Sequence, residues 1–353
     1  MELENRTAVP ARIDVGSPLP NGLRRGIATA KATFCFDASG RVTLEAQRPM
    51  PLQLRDEAHP LGVLPVDVVP RSEPDFELML LGHACAPRGT RATRQTVRMA
   101  LGDRERTIEV FGDRLWEGEA EAATIGAPAA FERLPLGWSR AYGGTVDVEV
   151  DEESPVEVQH ELNAEGLGFD PAPRAAMLAE QLGCPEGFPR WERQRPLPNL
   201  EDPEALIAAW GDAPRPLCWA PIPITSGLHH ERAFVATSDE RGLPSYEPSP
   251  KRHLRAHPDW VLPEPPAPGT KLRLEGVLAS GPVELALPAL EVHLDYVLGS
   301  REAQKQLAPR AMIVFADAMR FTIRYSLPFL IEPPRGEARK ARLRLEKVGG
   351  GDR

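Results

Sequence analysis

Long apolar runs are missing from this chain. No stretch reaches the roughly 18 residues that a membrane-crossing helix needs, so no membrane span is expected. The opening MELENRTAVPARIDVG is polar and lacks an apolar core, so no signal peptide is expected and the expected localisation is cytoplasmic. Cysteine is scarce. Cys35, Cys85, Cys184 and Cys218 are widely spaced and form no CxxC pair, which argues against a structural zinc site. Cys35 and Cys85 lie in apolar, strand-like runs where a small buried thiol fits, and a cytosolic setting disfavours disulfides. Positive charge is also short. With 42 Lys and Arg against 51 Asp and Glu, the net charge of −9 argues against nucleic acid or an anionic membrane as partner. There is no GxSxG elbow, no phosphate-binding P-loop and no GxGxxG after a strand. GLGF at 166–169 is too short for a nucleotide loop. No catalytic residue, cofactor or metal site is therefore expected.

Proline is in excess: 38 residues, about twice the usual share, beside 29 glycines. This composition argues against long helices and for short strands joined by turns. An apolar content of 42% is enough for a sizeable core. IATAKATFCF at 27–36, the turn DASG and RVTLEAQ read as a hairpin. DFELMLLGHACA at 75–86 has no polar face, which fits a central strand covered on both sides, and a buried helix has the same pattern. In RQTVRMALG, Thr96, Arg98 and Ala100 alternate with Val97, Met99 and Leu101; RERTIEVFG follows as its partner strand. VDVEVDEESPVEVQHE is an acidic, solvated strand or loop. Helices are expected at Ala175–Leu182 and over NLEDPEALIAAWGDAPRP, where Glu201 or Asp202 can cap, Pro203 suits the first turn and Gly211 ends it. Residues 185–270 are otherwise dense in proline. Trp191, Trp210, Trp219, Tyr246 and Trp260 argue for ordered irregular chain there, because disordered segments are poor in aromatics. TKLRLEGVL, AMIVFADAMRFTIRYSLPFLI and KARLRLEKV return to strands, with FADAMRF as strand–turn–strand. The expected fold is mainly β, α+β at most. It has two antiparallel, sandwich-type sheet portions at 20–150 and 269–348 and a proline-rich middle at 151–268 with few short helices. The two sheet portions either pack as one unit or stand apart.

Candidate chemistry is thin. His229 and His230 are adjacent, so a strand would send them to opposite faces, and HHERA lacks the second histidine of HExxH. His253 and His257 have the spacing of helical ligands, but Pro258 disfavours a helix at His257. The stretch LPLGWSRAYGG at 134–144 stands out. Trp138, Arg140 and Tyr142 are the residue types enriched at binding hot spots and share one face if the chain is extended. The same residues, with Arg140 stacked between the two rings and glycines at 137, 143 and 144, suit a rigid corner instead.

Several segments in order resemble a family of bacterial proteins of uncharacterised domain that are encoded in type VI secretion gene clusters. They are EPDFELMLLGHACAP, VRMALGDRERTIEVFGDRLWEG and FERLPLGWSRAYGG, then LNAEGLGF, LPNLEDP, APIPI, GTKLRLEGVLASGPVELALP and AMIVFADAMRFTIRYSLPF. The resemblance runs over about residues 20–330. It departs from the usual pattern at Asn163–Gly166 and in ITSGLHHERA after the PIP triplet. It implies a non-enzymatic adaptor or chaperone that binds a toxin effector and helps load it onto the spike, a valine–glycine repeat protein. Two further readings stay open: a glycan-acting enzyme that uses scattered carboxylates on a β-sandwich, and a structural component of the secretion apparatus.

Overall fold

The computed structural model describes residues 2–69, 75–118, 122–152, 155–192, 195–238, 244–298, 301–331 and 339–347. Two sheets enclose the main core. The larger has its strands in the order Glu2–Asn5, Arg339–Lys347, Leu290–Leu298, Arg301–Phe315, Arg320–Ile331, Arg24–Phe36, Ala11–Pro18. Its two terminal strands are successive in the chain, so the sheet curls back on itself in a barrel-like way. The second is an antiparallel five-stranded sheet in the order Leu200–Glu201, Arg104–Phe111, Arg94–Leu101, Lys271–Glu275, Val283–Ala286. One core cluster joins Phe34, Leu78, Leu80, Met312 and Phe321 of the first sheet to Val97, Met99, Ile108, Leu272 and Leu285 of the second. The chain is therefore mainly β, with inner faces packed as in a sandwich.

Local sequence explains most of these strands. In Arg94–Leu101, Val97, Met99 and Leu101 are buried while the residues between them are more exposed, as period-two alternation demands. Phe76–Leu81 is buried on both faces. It runs parallel to Ala311–Phe315 on one edge and carries Val261–Leu262 on the other. The long strand Arg301–Phe315 shifts register between Pro309 and Ala311. Its first half pairs with Leu290–Leu298 and its second with Arg320–Ile331. A proline lacks a donor for the ladder, so the shift falls where pairing is already broken.

The outer face of the sheet around Arg24–Phe36 is polar yet buried. Lys31 and Arg324 lie directly opposite one another. Lys31 Nζ is 2.7 Å from Asp67 Oδ2 and donates to Pro51 O at 2.9 Å. Arg324 is 3.6 Å from Glu77 Oε2 and donates to Val66 O at 3.2 Å. Glu77 also accepts from the Ala256 amide at 2.9 Å, and Arg255 meets Asp56 at 2.7 Å. Irregular proline-rich chain is thus tethered over the sheet by ion pairs, each buried cation matched to a carboxylate. Residues 213–223 are irregular but ordered: Cys218, Trp219, Ala220 and Ile222 are buried, and Trp219 O accepts from the Leu80 amide at 2.9 Å.

The helices partly differ from expectation. One spans Ala172–Leu182 and ends at the left-handed Gly183. The second expected helix, through 203–210, does not form. Leu200–Glu201 is a strand on Arg104–Phe111, and the buried Glu201 carboxylate is drawn to Arg114 and to the Ile207 amide at 2.9 Å. Asp202 closes a single turn, and Asp212 takes the Ala208 and Ala209 amides at 2.8 Å each. Side-chain acceptors compete here with helical hydrogen bonding. A helix instead spans Gly227–Ala233, so His229 and His230 are helical and not in a strand.

Candidate functional site

The 134–144 stretch forms a junction. Arg133–Pro135 pairs with His83–Cys85, and a 3-10 turn at Trp138–Arg140 then bends the chain. Trp138 is only 2% exposed and its Nε1 donates to Ala220 O and Pro221 O at 3.1 Å each. Arg140 holds Asp113 Oδ1 at 3.0 Å and Asn199 Oδ1 at 3.2 Å. Tyr142 is buried in a separate cluster with Trp116, Leu197 and Ile207, and burial pushes its phenol up. The three side chains therefore point into three regions and share no face. Arg140 is not stacked between the rings. Among the described residues, guanidinium–ring contacts occur at Phe111, with Arg94 and Arg114, and at Phe188, with Arg190. The Asn163 amide fastens the bend by donating to Trp138 O at 2.9 Å and Tyr142 O at 3.0 Å. Gly143 has φ 141°, and a Cβ there would lie 2.1 Å from Asn163 O. Segments far apart in sequence, around Asn163, Asn199 and Ala220, thus converge on one corner.

An exposed apolar surface lies elsewhere. Ser226 caps the helix Gly227–Ala233, and its Oγ also donates to Leu162 O at 2.7 Å. A Cβ on Gly227 would lie 1.6 Å from Glu161 O, so the helix sits hard against that backbone. Leu228 and His229 face inward, and His229 Nε2 meets Arg252 O at 2.9 Å. The chain then runs out as the hairpin Phe234–Ser238 with Pro244–Pro248, a sheet of two strands only. Phe234 and Ala236 share one face with Tyr246 and Pro248 by register. Phe234 is 44% exposed and Tyr246 69%; Val235, on the other face, is 50% exposed. Among the described residues, nothing covers either face of this arm and no further strand pairs with its edges. Against it, His230, Glu231, Phe234, Ala236 and Tyr246 line an open concavity of about 820 Å³. The sequence signal was only the Tyr246 aromatic in a proline-rich region. Alternation could not mark the arm, because apolar residues occur on both of its faces.

Two polar groupings lie apart from the arm. His83 Nδ1 lies 2.7 Å from Asp317 Oδ2, and Arg133 is 2.8 Å from the other carboxylate oxygen. Burial pushes Asp317 up, but His83 and Arg133 outweigh it and hold the carboxyl below its usual range. The nearby Cys85 thiol is pushed up by burial, away from the thiolate a nucleophile requires. A polar cleft of about 460 Å³ is lined by Glu105, Asp202, Glu204 and Asp259 together with Arg106 and Trp219. His257 holds Asp259 below the usual carboxylate range, against the push of burial; that is the direction of a base rather than a proton donor.

The fold and the arm define a curled β-sandwich protein that carries a projecting two-stranded hairpin. The chain belongs to a family of uncharacterised proteins conserved in bacteria, DUF2169, whose family model matches residues 21–326. No curated protein and no solved structure matches it. Among the described residues, no helix is long and apolar enough to cross a membrane.

Proposed function

We propose that this chain is a non-enzymatic adaptor or chaperone that binds a toxin effector of a type VI secretion system and helps load it onto the valine–glycine repeat spike. The observation that carries the reading is the arm formed by Phe234–Ser238 and Pro244–Pro248. An isolated two-stranded hairpin is marginal in water, and apolar side chains exposed on both faces mark a surface meant for a protein partner. Its open edges suit strand addition by an extended effector segment, with Phe234 and Tyr246 as anchors. The segment ITSGLHHERA builds the helix and leads into the arm.

Co-expression with an effector encoded nearby and affinity capture test the reading. Phe234→Ser with Tyr246→Ser is expected to lose effector capture at least tenfold with thermal stability unchanged. Capture undiminished by this double variant, or secretion that survives deletion of the gene, defeats the proposal. Turnover of peptidoglycan fragments, abolished by Glu204→Gln in the carboxylate-lined cleft, would favour the glycan-acting alternative. Fixed stoichiometry in purified secretion particles would favour a structural component.

A further inference from the structure

We propose that Glu291, His293 and Glu346 form a binding site for a divalent zinc-class cation on the outer face of the larger sheet. Along Leu290–Leu298, Val292 and Leu294 enter the core, and Glu291 and His293 therefore face the other way. On the neighbouring strand Arg339–Lys347, Glu346 stands directly opposite Glu291 and Arg344 opposite His293. Two carboxylates placed opposite each other across a ladder repel unless something positive lies between them. The imidazole of His293 is the side chain that lies against both. His293 Nε2 is 2.9 Å from Glu291 Oε2 and 3.8 Å from Glu346 Oε2, and the three potential ligand atoms all lie within 4.8 Å of one another.

A tetrahedral ion with bonds of 2.0–2.1 Å separates its ligand atoms by about 3.3 Å. The two distances from His293 straddle that value, and the two carboxylates lie within 4.8 Å of one another, so the side chains have to draw together around the ion. Arg344 holds the other oxygen of Glu346, Oε1, at 3.0 Å and also pairs with Asp295. It leaves Oε2 available and fixes the carboxylate from outside, as supporting groups around metal ligands do. One imidazole with two carboxylates selects a first-row ion such as zinc over magnesium or calcium, which prefer all-oxygen sets. Three protein ligands leave a fourth position for water or for a partner's side chain. The ion would clamp the strand Arg339–Lys347 to its neighbour.

Chelator-treated full-length protein, titrated with zinc chloride by calorimetry and by thermal unfolding, tests this. One zinc per chain is expected, with Tm raised by a few degrees in excess zinc. His293→Ala and Glu346→Gln should each weaken binding at least tenfold and abolish the rise, leaving the zinc-free Tm within a degree or two. His253→Ala should leave affinity unchanged. If His293→Ala fails to fold, the solvent-facing Glu346→Gln decides alone. Absence of zinc binding overturns the proposal. Binding that persists in the variants, or magnesium binding of equal strength, overturns it as well.

Discussion

Trp138 is held by shape and by hydrogen bonding at once. Its indole fills the main core, and its Nε1 satisfies two carbonyls of the irregular chain at Ala220 and Pro221. Trp138→Ala is expected to cost about 3–5 kcal/mol, read by denaturant unfolding, and to lose partner binding only as far as the fold is lost. Binding lost from a fully stable variant would return the residue to a recognition role. Lys31 and Asp67 follow a different rule. Asp67→Asn leaves a buried ammonium without its counter-charge and should cost about 3–5 kcal/mol. Replacing both, as Lys31→Met with Asp67→Leu, should cost much less in the same measurement, because no orphaned charge remains. Trp138 was conspicuous in the sequence. The Lys31–Asp67 pair was not, since a lysine within an apolar strand reads as a surface residue until the covering chain is known.

At the scale of elements, the strands were legible and the helices less so. Arg94–Leu101 and Phe76–Leu81 declare themselves by alternation and by continuous apolarity. The segment after Pro203 has helix-like residues but loses its first acceptor, because Glu201 is taken by Arg114 and Ile207. Gly227–Ala233 is short and rich in histidine, and it forms because Ser226 caps it and Gly227 lets it approach Glu161. Gly227→Ala should therefore destabilise by about 1–3 kcal/mol, as over-packing against backbone does. It should also weaken effector capture, since the helix is the root of the arm. Circular dichroism melting and the capture assay read the two effects together. Unchanged melting would show that the helix can step away from Glu161 without cost.

For the whole molecule, burial of imidazoles sets an acid limit. His59, His160 and His229 are all pushed below 6.5, chiefly by burial. His160 Nδ1 accepts from the Asn163 backbone N–H at 3.2 Å, beside the corner that the Asn163 side chain fastens. Unfolding frees each ring to take a proton near its ordinary value. Stability from these groups is complete above about pH 6.5 and falls as pH drops from there towards the lowered folded values. Unfolding free energy measured between pH 7.5 and 5 should decline, and His160→Asn should make the decline shallower. A profile that stays flat across this range would show that the rings protonate without resisting the fold. Residues 24–36, 76–81 and 301–331 belong to one sheet, so the early and late parts of the chain fold on a shared core.

Residue order by itself determined the mainly β character and the position of most strands, because these depend on local periodicity and turn chemistry. Tertiary structure alone decided that Trp138, Arg140 and Tyr142 part into three regions and that Glu291, His293 and Glu346 meet. It also decided that, among the described residues, nothing covers the apolar face of Phe234–Ser238 and Pro244–Pro248. The ion pairs span tens to hundreds of residues, and burial is settled by what packs across an element, which a pattern within that element does not contain.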